Sequence, residues 1–503
     1  MKRAIPILLT IVAAALEYGC LSTREPALQD MDRSRSTDDH QQLSDRNRDN
    51  TEAPAVSGRL TLEDAVKLAL LYNKELQAAA QTPAIAAGRM LEAKAKARPS
   101  VTARGSYTRL DVAPYIVFGG QTLAMGVADN YSASLEVRQT LYAGGAIQSA
   151  LRAAQLGAAL GDAQVRAQVQ KTLDEVIAGY YDCRLARHLF EVKRDAVKSA
   201  EAHLDDVAKR HTQGMASDYD VLRAEVEVSN FKAEMIRERN HITRATTALI
   251  KTMGVTQEQT LELADELVYA PRTMSPDEAV RTALTNRPEL AEAELDVRVQ
   301  REALRIAHSA YLPRVDAVFA QSEANPSPHT PTVPGWGSGW AAGIALELPL
   351  FDAGREGRAE EEEAKLRQRE AQLADMRERV LLQVRQALLS VQDAQEFVES
   401  QTKNLERAAE SLRLVELGYR QGIQSLVEVT DTQAAMTQTR GLYYQAIYDH
   451  CMARLALERA MGRLDVQQGT PKPESGEAAP TSGKLEAAPL EGSGAKGDPN
   501  HDH

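Results

Sequence analysis

The chain has 503 residues, of which 43% are hydrophobic and 26% are charged, and its formal net charge is −12. This acidic balance argues against a nucleic-acid partner, which would need a basic surface. Aromatic residues make up only 5% of the chain, which is low for a protein built mainly of β-sheet.

The amino terminus has the pattern of an export signal. A positive start and an apolar stretch are followed by Gly19-Cys20. A small residue before a cysteine at this distance is similar to a bacterial lipoprotein cleavage site, which makes Cys20 a candidate for lipidation. Plain signal cleavage is the alternative, because Glu17 departs from that pattern. Residues 1–20 are predicted to be a signal peptide, and the polar residues 21–57 a flexible tether.

The rest of the chain repeats itself. The run Glu-Asp-Ala-Val-Lys-Leu-Ala-Leu from Glu63 recurs as Asp-Glu-Ala-Val-Arg-Thr-Ala-Leu from Asp277. We therefore expect residues 61–254 and 275–462 to be two tandem structural repeats of about 200 residues each. Residues 466–503 are rich in Pro, Gly, Ser and Glu, and are predicted to form a disordered tail.

Each copy is predicted to open with helices. In the first copy, apolar residues at helical spacing indicate a helix over 61–72 and a break at Asn73. A second helix is expected from Lys74 to Arg98, where Pro99 stops it. The second copy repeats this pattern.

After each of these helices the apolar period changes to strict alternation, which predicts strands. They are expected near 100–110 and 131–142, and near 314–322 and 340–350, each pair forming a hairpin around a long loop such as 111–130. Strands of about ten residues with one apolar face are typical of a transmembrane barrel. A small soluble β-layer is the alternative, but four strands cannot close a barrel without partner chains.

Long helices follow in each copy, over 145–254 and 354–462. The proline-free stretches from Gly145 to Gly214 and from Gly354 to Gly422 would each reach about 100 Å at 1.5 Å per residue. Antiparallel helices of this length predict the wall of a tube. A coiled-coil dimer is the alternative, although it does not explain the strands.

Acidic residues follow the two glycine turns that end the long helices. Glu428 and Asp431 are three residues apart, so they share one face of a helix. In an oligomer they would form carboxylate rings, which favour cations. The alternative is a solvated helix start, where acids favour the positive end of the helix dipole.

Together these features resemble the TolC-like outer-membrane efflux protein family, the outer-membrane factors of tripartite efflux and type I secretion systems. The resemblance covers residues 61–462, and it includes Asn-Arg-Pro-Glu-Leu from Asn286, Leu-Phe-Asp-Ala-Gly-Arg from Leu350 and Gly-Ile-Gln-Ser-Leu-Val-Glu-Val from Gly422. It implies a mainly α fold with a transmembrane β-barrel part. It further implies a trimer with a 12-stranded barrel, four strands from each chain, and a 12-helix α-barrel tunnel.

The resemblance implies a bacterial outer-membrane channel with a periplasmic helical extension. Such a homotrimer contacts outer-membrane lipids, a periplasmic adaptor (membrane fusion) protein and an inner-membrane transporter, and it is a passive exit duct of a tripartite efflux pump. The alternatives are the exit channel of a type I protein or peptide secretion system and, less favoured, a periplasmic coiled-coil scaffold without a pore.

No enzymatic motif, cofactor or metal site is predicted. His188, His203 and His211 lack metal-ligand spacing and are expected at the surface. Cys183 and Cys451 lie in predicted helices and are expected to be buried, unpaired thiols.

The resemblance also assigns residues near the glycine turns. It implies that Glu428 and Asp431 form a periplasmic constriction and that Asp220 and Tyr419 form a link that holds the end closed. Gln424 departs from the family, because some members carry an arginine of this link there, and Glu428 replaces an aspartate; the link is thus expected to be weaker or differently held. The implied adaptor contacts are Arg210, Gly214, Ser217, Leu222, Ala224, Arg420, Gly422, Ser425, Leu426 and Val427.

Overall fold

The structure, a computed structural model, describes residues 59–255, 261–271 and 274–464. The predicted signal peptide with Cys20, the tether and the carboxyl-terminal tail lie outside the described residues. The described part is mostly helical.

The elements follow the chain in this order. The first half contains β1 (Arg59–Leu60), α1 (Leu62–Tyr72), α2 (Lys74–Ala79), α3 (Thr82–Ala95), β2 (Ser100–Arg109), β3 (Tyr115–Phe118), β4 (Gln121–Ala124), β5 (Asp129–Ala143), α4 (Ala146–Thr212) and α5 (Asp218–Met253). The second half contains β6 (Glu262–Leu263), α6 (Pro276–Asn286), α7 (Pro288–Ser309), β7 (Arg314–Asn325), β8 (Gly337–Glu347), α8 (Ala353–Arg420) and α9 (Leu426–Ala460).

The single helix expected from Lys74 to Arg98 is wrong. The structure has two helices there, α2 and α3, and Pro83 lies in the first turn of α3. Proline has no N–H to donate to the preceding turn, and its ring clashes with that turn, so it is tolerated at a helix start but not in the interior. Asn73 caps α2, since its side-chain oxygen accepts from the Leu76 N–H at 2.9 Å.

The main sheet has the strand order β2-β5-β7-β8, with every neighbouring pair antiparallel. The register aligns Val101 with Val137, Val137 with Phe319, and Phe319 with Ala342, so these four side chains share one face. Further residues on this face include Tyr107, Tyr131, Leu135, Trp340, Ile344 and Leu346. The opposite face is polar on β2 and β5. The sheet is open, and its two edge strands, β2 and β8, run in opposite directions.

The segment 111–130, which the sequence predicted as a long loop, has regular structure of its own. It contains β3 and β4, which pair as an antiparallel hairpin. The two turn residues are Gly119 and Gly120, both with positive φ (59° and 87°). A two-residue turn with positive φ at both positions matches the twist of the strands, and glycine adopts it without steric cost.

The long helix α4 lies at the centre of the helical part. Its 67 residues correspond to about 100 Å. It packs against α3, α5, α7 and α9, while α8 packs against α7 and α9. Among the described helices, none has both the length and the apolar character needed to cross a bilayer.

A hydrophobic core lies along the middle of α4, where the first helix α1 and the connection before α6 meet it. Tyr180 is fully buried there, and its hydroxyl donates to the Leu60 carbonyl at 3.0 Å. The Asp265 carboxylate accepts from the Leu62 N–H at 2.6 Å and lies 3.1 Å from the Tyr180 hydroxyl. These bonds fix the start of α1 to α4.

The expectation for the two cysteines is confirmed, because Cys183 and Cys451 are free and buried. The surface expectation for His188 is wrong: its side chain is 15% exposed, and its ring stacks on Tyr444 with centroids 4.4 Å apart. His203 is half-buried, whereas His211 is exposed.

Candidate functional site

The two long helices end in similar turns. Residues 213–217 separate α4 from α5, and residues 421–425 separate α8 from α9. We call these two turns, with the adjoining helix ends, the tip. Gly214 and Gly422 have positive φ values of 73° and 76°, which glycine adopts most easily. The N–H of the residue after each glycine donates to the carbonyl oxygen five residues earlier: Met215 to Arg210, and Ile423 to Gly418, each at 2.9 Å. This bond is typical of the Schellman motif that ends a helix.

Both helices that leave the tip begin with a capping box. The Asp220 carboxylate accepts from the Ser217 backbone N–H at 2.9 Å, and the Asp220 N–H donates to the Ser217 hydroxyl at 3.3 Å. At the second turn, the Glu428 carboxylate accepts from the Ser425 N–H at 2.8 Å, and the Glu428 N–H donates to the Ser425 hydroxyl at 3.3 Å. The spacing Ser-x-x-Asp or Ser-x-x-Glu before a helix is the sequence signal for this motif.

Gln424 lies against the Glu428 carboxylate. In the amide orientation that satisfies both groups, its nitrogen donates to the Glu428 oxygens at 2.5 and 3.0 Å. Both Glu428 oxygens are thus engaged at the start of α9. The hydrogen bonds to Ser217 also hold the pKa of Asp220 below its usual range.

Asp431, one turn further along α9, is held more loosely. Its carboxylate oxygen lies 3.5 Å from the Arg223 guanidinium on α5, and its side chain is 71% exposed. Glu227 on α5 lies near the same pair; burial raises its pKa, Arg223 opposes that rise, and Asp431 adds to it. Arg223 therefore balances the acids on the two helices that leave the tip, a role that the sequence analysis did not assign to it.

Tyr419 joins the ends of α8 and α4. The guanidinium carbon of Arg210 lies 4.5 Å from the centre of the Tyr419 ring, a cation–π contact. Arg210 also donates to Asp206 at 2.9 Å, and the His203 ring lies 5.8 Å from the Tyr419 ring. Burial raises the pKa of Tyr419, and Arg210 opposes that rise.

The predicted partners Asp220 and Tyr419 are therefore engaged by different groups in this chain. Asp220 is bonded to Ser217, and Tyr419 lies against Arg210. Asp220 is still close enough to contribute to the raised pKa of Tyr419. The structure thus brings these residues to one region, and the direct link across α4 and α8 is made by Arg210.

The surface of the tip carries apolar side chains. Leu222 is 60% exposed and Val427 is 40% exposed, and Ile423, next to Gly422, is 74% exposed. Ala224 differs, because it is buried within the chain. Of the other residues predicted to contact an adaptor, Leu426 and Arg210 are half-buried. The remaining ones are exposed: Gly214, Ser217, Arg420, Gly422 and Ser425.

Within the described ranges, no group of three or more His, Cys, Asp or Glu side chains is arranged to hold a metal ion. Burial raises the pKa of the Cys451 thiol to about 11, so it is a poor ligand at neutral pH.

Comparison with known proteins gives a consistent result. The family model described as outer membrane efflux protein matches residues 65–255 and again residues 279–463. The chain is 21% identical to outer membrane protein TolC of Salmonella enteritidis over 430 residues, which cover 82% of this chain and 85% of that protein. It is 25% identical to the pyoverdine export outer membrane protein OpmQ of Pseudomonas aeruginosa over 416 residues, 80% of this chain and 85% of that one.

The fold is also similar to that of a solved structure, the outer membrane protein VceC from Vibrio cholerae. The TM-score is 0.69 at 17% identity, and the match covers 80% of this chain and 96% of that one. At this identity the likeness concerns the fold alone.

Proposed function

The chain belongs to the outer membrane efflux protein family, and from this membership we propose that it is the outer-membrane duct of a tripartite efflux pump. As a member of that family it acts in the bacterial outer membrane as an efflux channel. The proposal adds that three copies form the pore, and that an inner-membrane transporter delivers substrates through a periplasmic adaptor.

The observation that carries the proposal is the open sheet with its two unlike faces. Trp340 is 72% exposed and Ile344 is 73% exposed on the apolar face, which is costly in water and favourable in lipid. On the polar face, Arg104 and Arg138 both pair with Glu136, at 3.3 and 3.0 Å. A sheet with these faces fits a barrel wall that separates lipid from a water-filled lumen.

The direction of the edge strands sets how copies can join. Because β2 and β8 run in opposite directions, β8 of one chain can pair antiparallel with β2 of the next. Closing the sheet in this way removes both unpaired edges, which a membrane cannot tolerate. Three copies give twelve strands, an even number in which every neighbouring pair is antiparallel.

The helices continue from the strands without a long connection. Only Gly144 and Gly145 separate β5 from α4, which is about 100 Å long, as is α8. We propose that these helices, with their shorter neighbours, form the tunnel wall across the periplasm. Two tandem copies of one unit, residues 61–254 and 275–462, would then contribute equivalent parts of the wall.

The tip is proposed as the periplasmic entrance. Glu428 and Asp431 would form its carboxylate rings, with Asp431 the more available charge because Glu428 caps α9. The exposed apolar residues beside the two glycine turns would contact the adaptor. The name of the relative OpmQ supports a small-molecule cargo, since that protein is described as exporting pyoverdine.

Disulfide trapping across the proposed seam tests the trimer. Thr102 on β2 would be replaced by cysteine together with Ala341, Gly343 or Ala345 on β8, one pair at a time, in a Cys20→Ser background. Cys183 and Cys451 are buried, so we expect few unintended disulfides from these native cysteines. We expect disulfide-linked dimers and trimers for at least one pair. A Gly105→Cys/Ala133→Cys pair, on neighbouring strands of one chain, is the control and should give monomers.

Planar-bilayer recordings test the pore and its charge. Glu428→Gln/Asp431→Asn removes both carboxylates and keeps a residue that can complete the capping box. We expect cation-selective currents in the parent and weaker selectivity in this variant. Well-folded protein that neither traps as a trimer nor conducts would overturn the duct and favour the scaffold.

A further inference from the structure

A cavity of about 450 Å³ lies where the sheet meets the helices. Its walls come from the end of α3, the start of α4, the end of α7 and the polar face of the sheet. Four cationic side chains line it, and none of its lining residues is acidic: Lys96, Arg98, Arg138 and Arg314. It is therefore a basic cavity in a chain whose net charge is −12.

Two of the four cations are already paired. The Arg138 guanidinium lies 3.0 Å from the Glu136 carboxylate, and Arg314 donates to Asp316 at 2.9 Å. In the part of the chain that the structure describes, the side chains of Lys96 and Arg98 make no hydrogen bond or ion pair. Two positive charges at the cavity thus remain without a counter-charge.

The start of α4 adds hydrogen-bond donors to the same cavity. Ala146 and Ile147 line it, and the first N–H groups of a helix have no acceptor within the helix. The capping residue is Gly145, so no side chain covers these groups, and the first turn of α4 contains no acid. By contrast, capping boxes cover the starts of α5 and α9.

The cavity opens on the polar side of the sheet. Ser100 pairs with Arg138, and both lie on the face opposite Trp340 and Ile344. If the apolar face contacts lipid, the cavity faces the lumen just below the barrel. The position of the cavity in the transport path therefore rests on the proposed function, whereas its charge and shape do not.

We infer that this cavity binds the anionic group of a small molecule, a phosphate, sulfonate or carboxylate. Arginine forks and backbone N–H groups are the donors that hold such groups in proteins. A volume near 450 Å³ suits a small organic anion rather than a polymer. The lipid phosphate headgroup shares this chemistry, but the cavity lies on the polar face, which favours an anion from the lumen.

The test measures binding of inorganic pyrophosphate to the detergent-extracted full chain by isothermal titration calorimetry. Lys96→Gln/Arg98→Gln removes the two uncommitted charges without breaking an ion pair. The control is Arg89→Gln/Lys94→Gln, which also removes one arginine and one lysine charge, but from positions on α3 outside the cavity. We expect affinity to fall about fivefold in the cavity variant, and less than twofold in the control.

Each outcome decides the proposal. Equal weakening in both double variants would mean that pyrophosphate binds surface charge in general, and no binding to the parent would also overturn the inference. A parallel measurement quantifies phosphatidylglycerol that remains bound after extraction. If pyrophosphate does not bind but lipid retention falls in the cavity variant alone, the site holds a headgroup and the inference of a luminal anion is wrong.

The binding assay needs no pore, so its result is separate from the proposed function. Pyrophosphate binding by protein that neither traps as a trimer nor conducts would keep the cavity inference and overturn the duct. Conductance without pyrophosphate binding would keep the duct and overturn the inference about the cavity.

Discussion

We expect the Arg210–Tyr419 contact to hold the ends of α4 and α8 together, and a double-mutant cycle can measure it. Arg210→Gln removes the guanidinium and keeps part of the stem. Tyr419→Leu removes the aromatic face and keeps an apolar side chain. The double variant then reports the energy of the pair after each separate loss is subtracted.

The magnitude follows from the geometry. The guanidinium carbon lies 4.5 Å from the ring centre at a partly exposed site, which gives about 0.5–1 kcal/mol for the cation–π contact. Arg210→Gln also loses the ion pair with Asp206 four residues earlier, worth about 0.3–0.5 kcal/mol. The arginine variant should therefore lose roughly 1 kcal/mol of local stability, and the tyrosine variant somewhat less.

Hydrogen–deuterium exchange of the two helix ends measures this local stability. A loss of about 1 kcal/mol raises the exchange rate of amides that open locally by about fivefold. The last turns of α4 and α8 should both respond to either substitution, because the contact joins them. Amides near Tyr180, in the core at the middle of α4, should not change and act as the internal control.

Two results would refute this reasoning. The first is a coupling energy below about 0.2 kcal/mol, which would mean that the ring and the guanidinium are neighbours without a stabilising contact. The second is a response confined to the helix that carries the substitution. In that case, Arg210 would act only through Asp206 on its own helix.

Other regions give further expectations. Ser425→Ala should destabilise the start of α9 by about 1 kcal/mol, seen as faster amide exchange in its first turn, whereas Ser425→Thr should not. Burial raises the pKa of Glu292 to about 7, so the folded state keeps a proton that the unfolded state loses above the ordinary glutamate pKa of 4.5. The contribution of Glu292 to the free energy of unfolding should thus fall as pH rises through this window. Urea titrations of Glu292→Gln should therefore show a free energy of unfolding that falls less with pH than in the parent, and an unchanged pH dependence would rule out this residue. Gly254→Ala should cost more than about 2 kcal/mol in the same titrations, because its φ is +75° and a Cβ would lie 2.1 Å from the Tyr72 carbonyl oxygen. Gly422→Ala is the matched comparison, with a similar φ and nothing near the new methyl group, and equal costs would contradict the clash.

The period of the apolar residues indicated much of the fold. Alternation over 131–142 and 340–350 placed two of the strands, and the proline-free runs placed α4 and α8. Periodicity could not show that β5 pairs with β7, because this contact joins the two halves of the chain. The break before Pro83 and the hairpin at Gly119-Gly120 had local signals that the sequence analysis did not use.

The site was less visible in the sequence than the fold. The acids Asp220 and Glu428 follow serines by three residues, which is a capping signal, and the structure places both in capping boxes. The contact between Arg210 and Tyr419 joins residues more than two hundred positions apart. No local pattern marks such a pair, since it depends on how α4 and α8 end at the same level.

The two charged regions lie at opposite ends of α4, because Ala146 lines the basic cavity and Thr212 precedes the tip. They are thus separated by about 100 Å, against a screening length of about 8 Å at physiological salt. Direct electrostatic interaction between them is negligible at this distance. Glu428→Gln/Asp431→Asn should therefore leave the pyrophosphate affinity of the cavity within twofold of the parent. A larger change would require a conformational connection, and the continuous helix α4 is the element that would have to transmit it.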